Sequence, residues 1–144
     1  MCHYETVERV VISKMIKFTI PLDPKTKKNS GRICRNKYSG KTFFRPSEAF
    51  EQYQENCGYF MPKLKNPIEY KVNIKALYFM GTRRKVDITN LHSALHDILT
   101  HYGVIADDNM KIVISTDGSR VRYDKNNPRT EVEITETDEI TGFE

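Results

Sequence analysis

The 144-residue chain has no long apolar run, no paired-cysteine framework and no internal repeat. Nothing in it approaches the roughly 20 apolar residues of a membrane-spanning helix. The start, MCHYETVERVV, carries acidic residues and lacks an apolar segment of the kind a secretory signal requires, so a cytoplasmic protein is expected. Its three cysteines, Cys2, Cys34 and Cys57, are odd in number and lack metal-ligand spacing, which argues against disulfide staples and a cysteine zinc site and suits thiols in a reducing compartment. The phosphate-cradling pattern G-x-x-x-x-G-K-[ST] is missing, as is any nucleophile elbow, which removes nucleotide hydrolysis and serine or cysteine catalysis from consideration. No aromatic pattern of the RNA-recognition type is present either.

What is present is a globular composition, 38% hydrophobic and 29% charged, in a length suited to one domain with its own core. The net charge of +4 conceals an uneven distribution. Between Lys14 and Lys85 there are 17 Lys plus Arg against 5 Asp plus Glu, whereas the remainder holds 6 against 14. The first half would attract a polyanion such as nucleic acid, with binding that weakens as salt rises. A solvated surface is the plainer reading of the same charges. Residues 1–14 read as an extension, 15–136 as the domain and 137–144 as an acidic tail that frays.

Alternating Ile16, Phe18 and Ile20 predict a first strand, ended by Pro21 and Pro24; VERVVIS is a candidate strand before it. The loop that follows is rich in Lys, Arg and polar donors, suited to phosphate contacts through Lys27 and Lys28, and the Ser39–Gly40 turn near Cys34 and Tyr38 suggests a hairpin reaching onto DNA. Ser47 is a natural N-cap for a helix whose apolar face takes Ala49, Phe50, Tyr53, Cys57 and Phe60, read as core. Ile68 to Met80 alternates as the best strand. Ile88, Leu91, Leu95, Ile98, Leu99 and Tyr102 recur at helical spacing, with Asp87 as N-cap, Gly103 as stop, and Asn90, Ser93 and Asp97 on a polar stripe. Two further strands follow, the first turned or bulged at Asp117 and Gly118, with a firmer turn at Asn126 to Pro128. The expected fold is α/β in the α+β sense: a small mixed sheet of three to five strands, joined by hairpins, with two main helices packed against it.

Chemistry concentrates between Arg83 and Ile112. Asp87 precedes a helix about 21 Å long, and Asp107 and Asp108 follow it closely. Six near-extended residues span up to about 20 Å, so the chain after Tyr102 can return along the helix and bring the carboxylates together. Arg83, Arg84 and Lys85 then stand at the mouth of an acidic site, where cations grip flanking phosphates while metal-binding carboxylates act on the scissile one. The plainer reading makes Asp87 a cap and Asp107 to Asn109 a polar turn. His92 and His96, at i and i+4, lack the glutamate and third ligand of a zinc motif and read as exposed histidines.

D-x-x-N at Asp87 and Asn90, G-V-I-x-D-D-N-x-K-I from Gly103 to Ile112, KKNS from Lys27 to Ser30 and the closing SRVRYDKNNPRTEVEIT resemble the RusA family of Holliday junction resolvases, found largely in prophages and other mobile elements. The resemblance covers most of Lys14 to Thr135. It implies a small α/β homodimer that cleaves branched DNA with Mg²⁺ or Mn²⁺ held by aspartates. Matched position by position, Asp87, Asp107 and Asp108 are the implied catalytic metal ligands and Asn90 the asparagine beside them. The phosphate-gripping residues read from the sequence itself are Lys27, Lys28, Arg83, Arg84 and Lys85. The chain departs from the family's D-x-D-N with a following lysine in having Thr89 and Ser93; Lys85 or Lys111 could supply the missing cation. Two functions remain open: a junction-cutting nuclease, or a protein of the same fold that binds branched DNA without cutting it.

Overall fold

A computed structural model describes residues 14–27, 32–45 and 47–144; the VERVVIS segment, Cys2 and Lys28 lie outside them. The main sheet has five strands: β1 (Met15–Ile20), β4 (Val72–Met80), β5 (Val113–Ser115), β6 (Arg120–Tyr123) and β7 (Arg129–Glu136). A separate two-stranded ribbon is formed by β2 (Arg32–Arg35) and β3 (Thr42–Arg45). The two helices are α1 (Glu48–Cys57) and α2 (Ile88–His101).

The order β1-β7-β4 follows from side-chain pairing. In register across the three strands, Ile16, Ile134 and Ile74 form one row, Phe18, Val132 and Ala76 the next, and Ile20, Thr130 and Tyr78 a third. These rows make the face that packs into the core. Between them, the opposite face aligns Lys17, Glu133 and Lys75, so the glutamate stands between two lysines. Opposite charges across neighbouring strands favour this register over a slipped one. β7 therefore belongs between β1 and β4.

On its other edge β4 meets β5 and then β6, both parallel to it, with α2 as the crossover between β4 and β5. The sheet is mixed, as expected, but hairpins are not what joins it: among the described strands only β2 and β3 are consecutive and paired antiparallel. The turn at Asn126 to Pro128 connects β6 and β7 across the end of β4, where the Asp124 amide donates to the Met80 carbonyl (2.9 Å). Arg129 fastens this turn, reaching Asp124 Oδ2 (3.0 Å) and the Asn127 carbonyl (2.9 Å) while its guanidinium lies 3.8 Å from the Phe79 ring centre.

Asp117 and Gly118 interrupt one line of chain rather than reverse it. Asn73 on β4 holds the interruption in place: its Oδ1 accepts from Ser115 Oγ (2.6 Å) and the Asp117 amide (2.8 Å), and its Nδ2 donates to the Asp117 carbonyl (3.2 Å). The strand expected from Ile68 begins instead at Val72. Ile68 makes a separate parallel bridge to Ile105, and Tyr70 is exposed.

Both helices bury the faces their spacing marks out. Leu91, Ala94, Leu95, Ile98 and Leu99 of α2 and Phe50, Tyr53 and Cys57 of α1 are buried, whereas Ala49, in the first turn of α1, is exposed, and so is Phe60, because α1 ends at Cys57 and continues as a single 3₁₀ turn. Ser47 caps α1, accepting the Phe50 amide at 3.1 Å. The tail is tied back: Lys71 Nζ donates to Glu144 Oε2 (2.7 Å) and to the Glu139 carbonyl (2.6 Å). Replacing Asn73 with Ala removes three bonds from one polar hub and leaves the Asp117 turn unsupported. Urea unfolding should show a loss of about 1–3 kcal/mol; an unchanged midpoint would mean the hub does not hold β5 and β6 in line.

Candidate active site

β4 leaves the sheet at Gly81, whose amide donates to Asp23 Oδ1 (2.9 Å) in the loop after β1. That bond joins the exits of two strands and fixes where Arg83, Arg84 and Lys85 emerge, all exposed. Arg83 stacks over the Tyr123 ring at 4.2 Å. Arg84 and Lys85 line a cleft of about 290 Å³ together with Lys25, Thr26 and Ala49. Arg84 and Lys85 thus share one cleft, while the Arg83 contact with Tyr123 had no signal in the sequence.

Asp87 occupies the N-cap position of α2 in extended backbone, and its carbonyl accepts the Asn90 and Leu91 amides, each at 3.1 Å. Its carboxylate makes no cap bond. It instead accepts the Asn90 side-chain amide at 3.4 Å and is exposed. A carboxylate at a helix start is favoured by the dipole without being consumed by it. Asp87 therefore holds the N-cap position by its backbone alone.

At the far end, Gly103 takes φ +71 and turns the chain back. The Leu99 carbonyl accepts the Val104 amide (2.9 Å) and the Ile105 amide (3.4 Å), and both apolar side chains are buried. The Ile68 amide donates to the Val104 carbonyl (3.0 Å) and the Ala106 amide to the Ile68 carbonyl (2.9 Å), which places the following acidic turn on a rigid seat. Within that turn Asp107 accepts the Asp108 amide (2.8 Å) and the Asn109 side-chain amide (2.9 Å), and Asn109 Oδ1 accepts the Lys111 amide (2.9 Å). Lys111 itself is exposed.

The return runs along α2, and the helix carboxylate whose field reaches Asp108, beside that of its neighbour Asp107, is Asp97 on the third turn. Asp97 also takes the Lys27 ammonium at 2.6 Å. Lys27, expected on DNA, is thus engaged within the protein. The pair is exposed on both sides and worth at most about 1 kcal/mol, so a phosphate can compete for the ammonium. Asp97 was visible in the sequence only as part of the polar stripe with Asn90 and Ser93. His92 and His96 are not exposed as expected: their rings stack at 5.6 Å, and His92 Nδ1 lies 2.7 Å from the Tyr78 hydroxyl. Burial pushes His96 down to about 4, helped by His92 and opposed by Asp97, so the imidazole is neutral near pH 7.

Among the described residues no group of three or more His, Cys, Asp or Glu side chains is placed to hold a metal ion by itself. The donors that do gather are hard oxygens. Mg²⁺ keeps several waters and takes one or two carboxylates plus substrate phosphates, so the Asp107–Asp108 turn fits such a cation, while a closed protein cage does not. The Asn109 amide and the Asp108 backbone amide hold the Asp107 carboxyl below its usual range. Partial burial, the Asp107 hydrogen bond and the charges of Asp97 and Asp107 raise that of Asp108.

As pH rises in metal-free protein, Asp107 should therefore lose its proton before Asp108. The depressed Asp107 favours folding at higher pH and loses that contribution as pH falls through its folded value; the raised Asp108 opposes folding once ionised and is relieved as pH falls. Carboxyl-carbon NMR titration checks the order, and Asp97→Asn should move Asp108 downward. Asp108 titrating first would contradict this electrostatic arrangement.

The family model for endodeoxyribonuclease RusA matches residues 21–135. No curated protein matches the chain. That span holds β4, α2, the acidic turn and the strands that seat it, and it takes in most of the chain. The protein belongs to the RusA endodeoxyribonuclease family.

Proposed function

We propose that this chain is a divalent-metal-dependent endodeoxyribonuclease that resolves four-way or related branched DNA by hydrolysing phosphodiester bonds. The observation that supports it most is the seated Asp107–Asp108 turn: two carboxylates on a rigid return, beside Asp97 and a cationic mouth. In this reading Asp107, Asp108 and Asp87 hold Mg²⁺ or Mn²⁺, and Asn90 steadies Asp87 through its amide. When bound, the cation would activate water and neutralise charge developing on the scissile phosphate. The chain's own residues do the rest. Arg83, Arg84, Lys85 and Lys111 grip phosphates on either side and orient the strand; Lys27 joins them when a phosphate draws it from Asp97. Lys85 and Lys111 replace the cation that Ser93 does not provide.

Two symmetric cuts in a four-way junction need two sites related by a two-fold axis, so the working unit is a homodimer in the cytoplasm, acting in recombination or repair of the mobile-element kind. A second reading draws on Thr89, which stands where the family carries a carboxylate, and on the lack of a three-carboxylate cluster among the described residues. It is a junction-binding protein that does not cut. Synthetic four-way junctions with Mg²⁺ or Mn²⁺ separate the two. The nuclease reading expects paired nicks, and a loss of about a hundredfold or more in rate for Asp108→Asn at unchanged junction affinity. Cutting that survives Asp108→Asn removes that residue from the chemistry, and tight binding with no cutting under either ion establishes the second reading.

A further inference from the structure

Most large apolar side chains of the described chain are in the core, yet Ile33 is 79% exposed, Phe43 is 47% exposed and Tyr38 is fully exposed, all three on the β2–β3 ribbon. A two-stranded ribbon gains little stability by itself, so these residues contribute little while they face water. The charged residues of the same segment are all basic. Residues 32–45 contain Arg32, Arg35, Lys37, Lys41 and Arg45 and no acid. An apolar edge set in such a field suits a polyanion that also offers flat apolar faces, which is nucleic acid with accessible bases.

The tip is built to present Tyr38. Asn36 Oδ1 accepts the amides of Tyr38 (2.8 Å) and Ser39 (3.0 Å), its backbone amide donates to the Lys41 carbonyl (2.8 Å), and its carbonyl accepts the Gly40 amide (3.0 Å). Gly40 supplies the positive φ of +70 that closes the turn, and the Arg35 guanidinium lies 3.5 Å from where a Cβ on Gly40 would stand. The turn is thus fixed in shape, with the Tyr38 ring fully exposed on it and a cation folded beside it. Along the chain the ribbon lies between two elements of the candidate site. Before it, Lys27 reaches Asp97 and stands 5.8 Å from the Phe50 ring centre; after it, α1 begins at Glu48 with Ala49 lining the cleft of Arg84 and Lys85.

We propose that the β2–β3 ribbon is an insertion arm for branched DNA, in which Tyr38 stacks on a base uncovered at the branch point while Arg35, Lys37 and Lys41 hold the flanking phosphates. In continuous duplex each base is already stacked on both sides and offers Tyr38 no face. At a branch point the stack is interrupted, so the ring reads structure while the cations read charge alone. This rests on the branched-DNA reading above and names the element that would select the branch.

The test measures binding without divalent cations, so that cutting plays no part, to a four-way junction carrying 2-aminopurine at its centre and to a linear duplex of the same composition. Tyr38→Ala should weaken junction binding about tenfold, abolish the 2-aminopurine response and leave duplex binding and the melting temperature unchanged, while Tyr38→Phe keeps all of them. Lys37→Ala should weaken both DNAs alike and reduce the salt slope by about one. Tyr38→Ala binding the junction as the unaltered protein does, losing both DNAs equally, or losing self-association instead would overturn the insertion arm alone. An unaltered protein that does not distinguish junction from duplex would sink the branched-DNA reading with it.

Discussion

The reversal at Gly103 is the constraint from which the rest of the site follows. One left-handed residue ends α2, the Leu99 carbonyl accepts two successive amides, and Val104 and Ile105 are pressed into the core on the way back. Burial of those two side chains, together with the bridge to Ile68, turns what would be a loose acidic loop into a fixed platform. Asp107 and Asp108 are exposed just beyond the buried Val104–Ile105 pair that anchors the return. A helix alone would leave its two ends about 21 Å apart; the return shortens that separation until Asp108 falls within the field of Asp97.

Electrostatics divides the molecule in two. On the open face of the sheet, Lys17 and Lys75 stand against Glu133 in register and Arg129 pairs with Glu131, so cations and acids alternate there. Around the candidate site the opposite holds. Arg84, Lys85 and Lys25 border a cleft whose one lining acid, Asp23, is already bonded to Gly81 and Lys25. The exposed Arg84 and Lys85 of the rim and the exposed Asp107–Asp108 turn suit a phosphate backbone and a hard cation.

Much of this was legible in the sequence because it is periodic. Three- and four-residue spacing marked α2 to its observed ends, and period-two alternation marked β1, most of β4 and β7. Local chemistry was legible as well: Ser47 does cap, Gly103 does stop, and the D-D-N turn lies where the chain returns. What stayed hidden depends on partners distant in sequence. The placement of β7 between β1 and β4 is decided by Glu133 meeting Lys17 and Lys75, which no single segment reveals. Asp97 reads as a solvated stripe until the return brings Asp108 beside it and Lys27 pairs with it. His92 and His96 look exposed until Tyr78 is seen to bond one and burial to neutralise the other.

The claim that most needs a direct answer is that the acidic turn, and not the helix start alone, seats the cation. Anomalous scattering from crystals soaked in Mn²⁺ would show it. The account predicts a peak with Asp107 and Asp108 oxygens about 2.1 Å away, in the range a small octahedral cation takes. A peak beside Asp87 that leaves both of those carboxylates untouched, or no ordered Mn²⁺ at millimolar concentration, would contradict it.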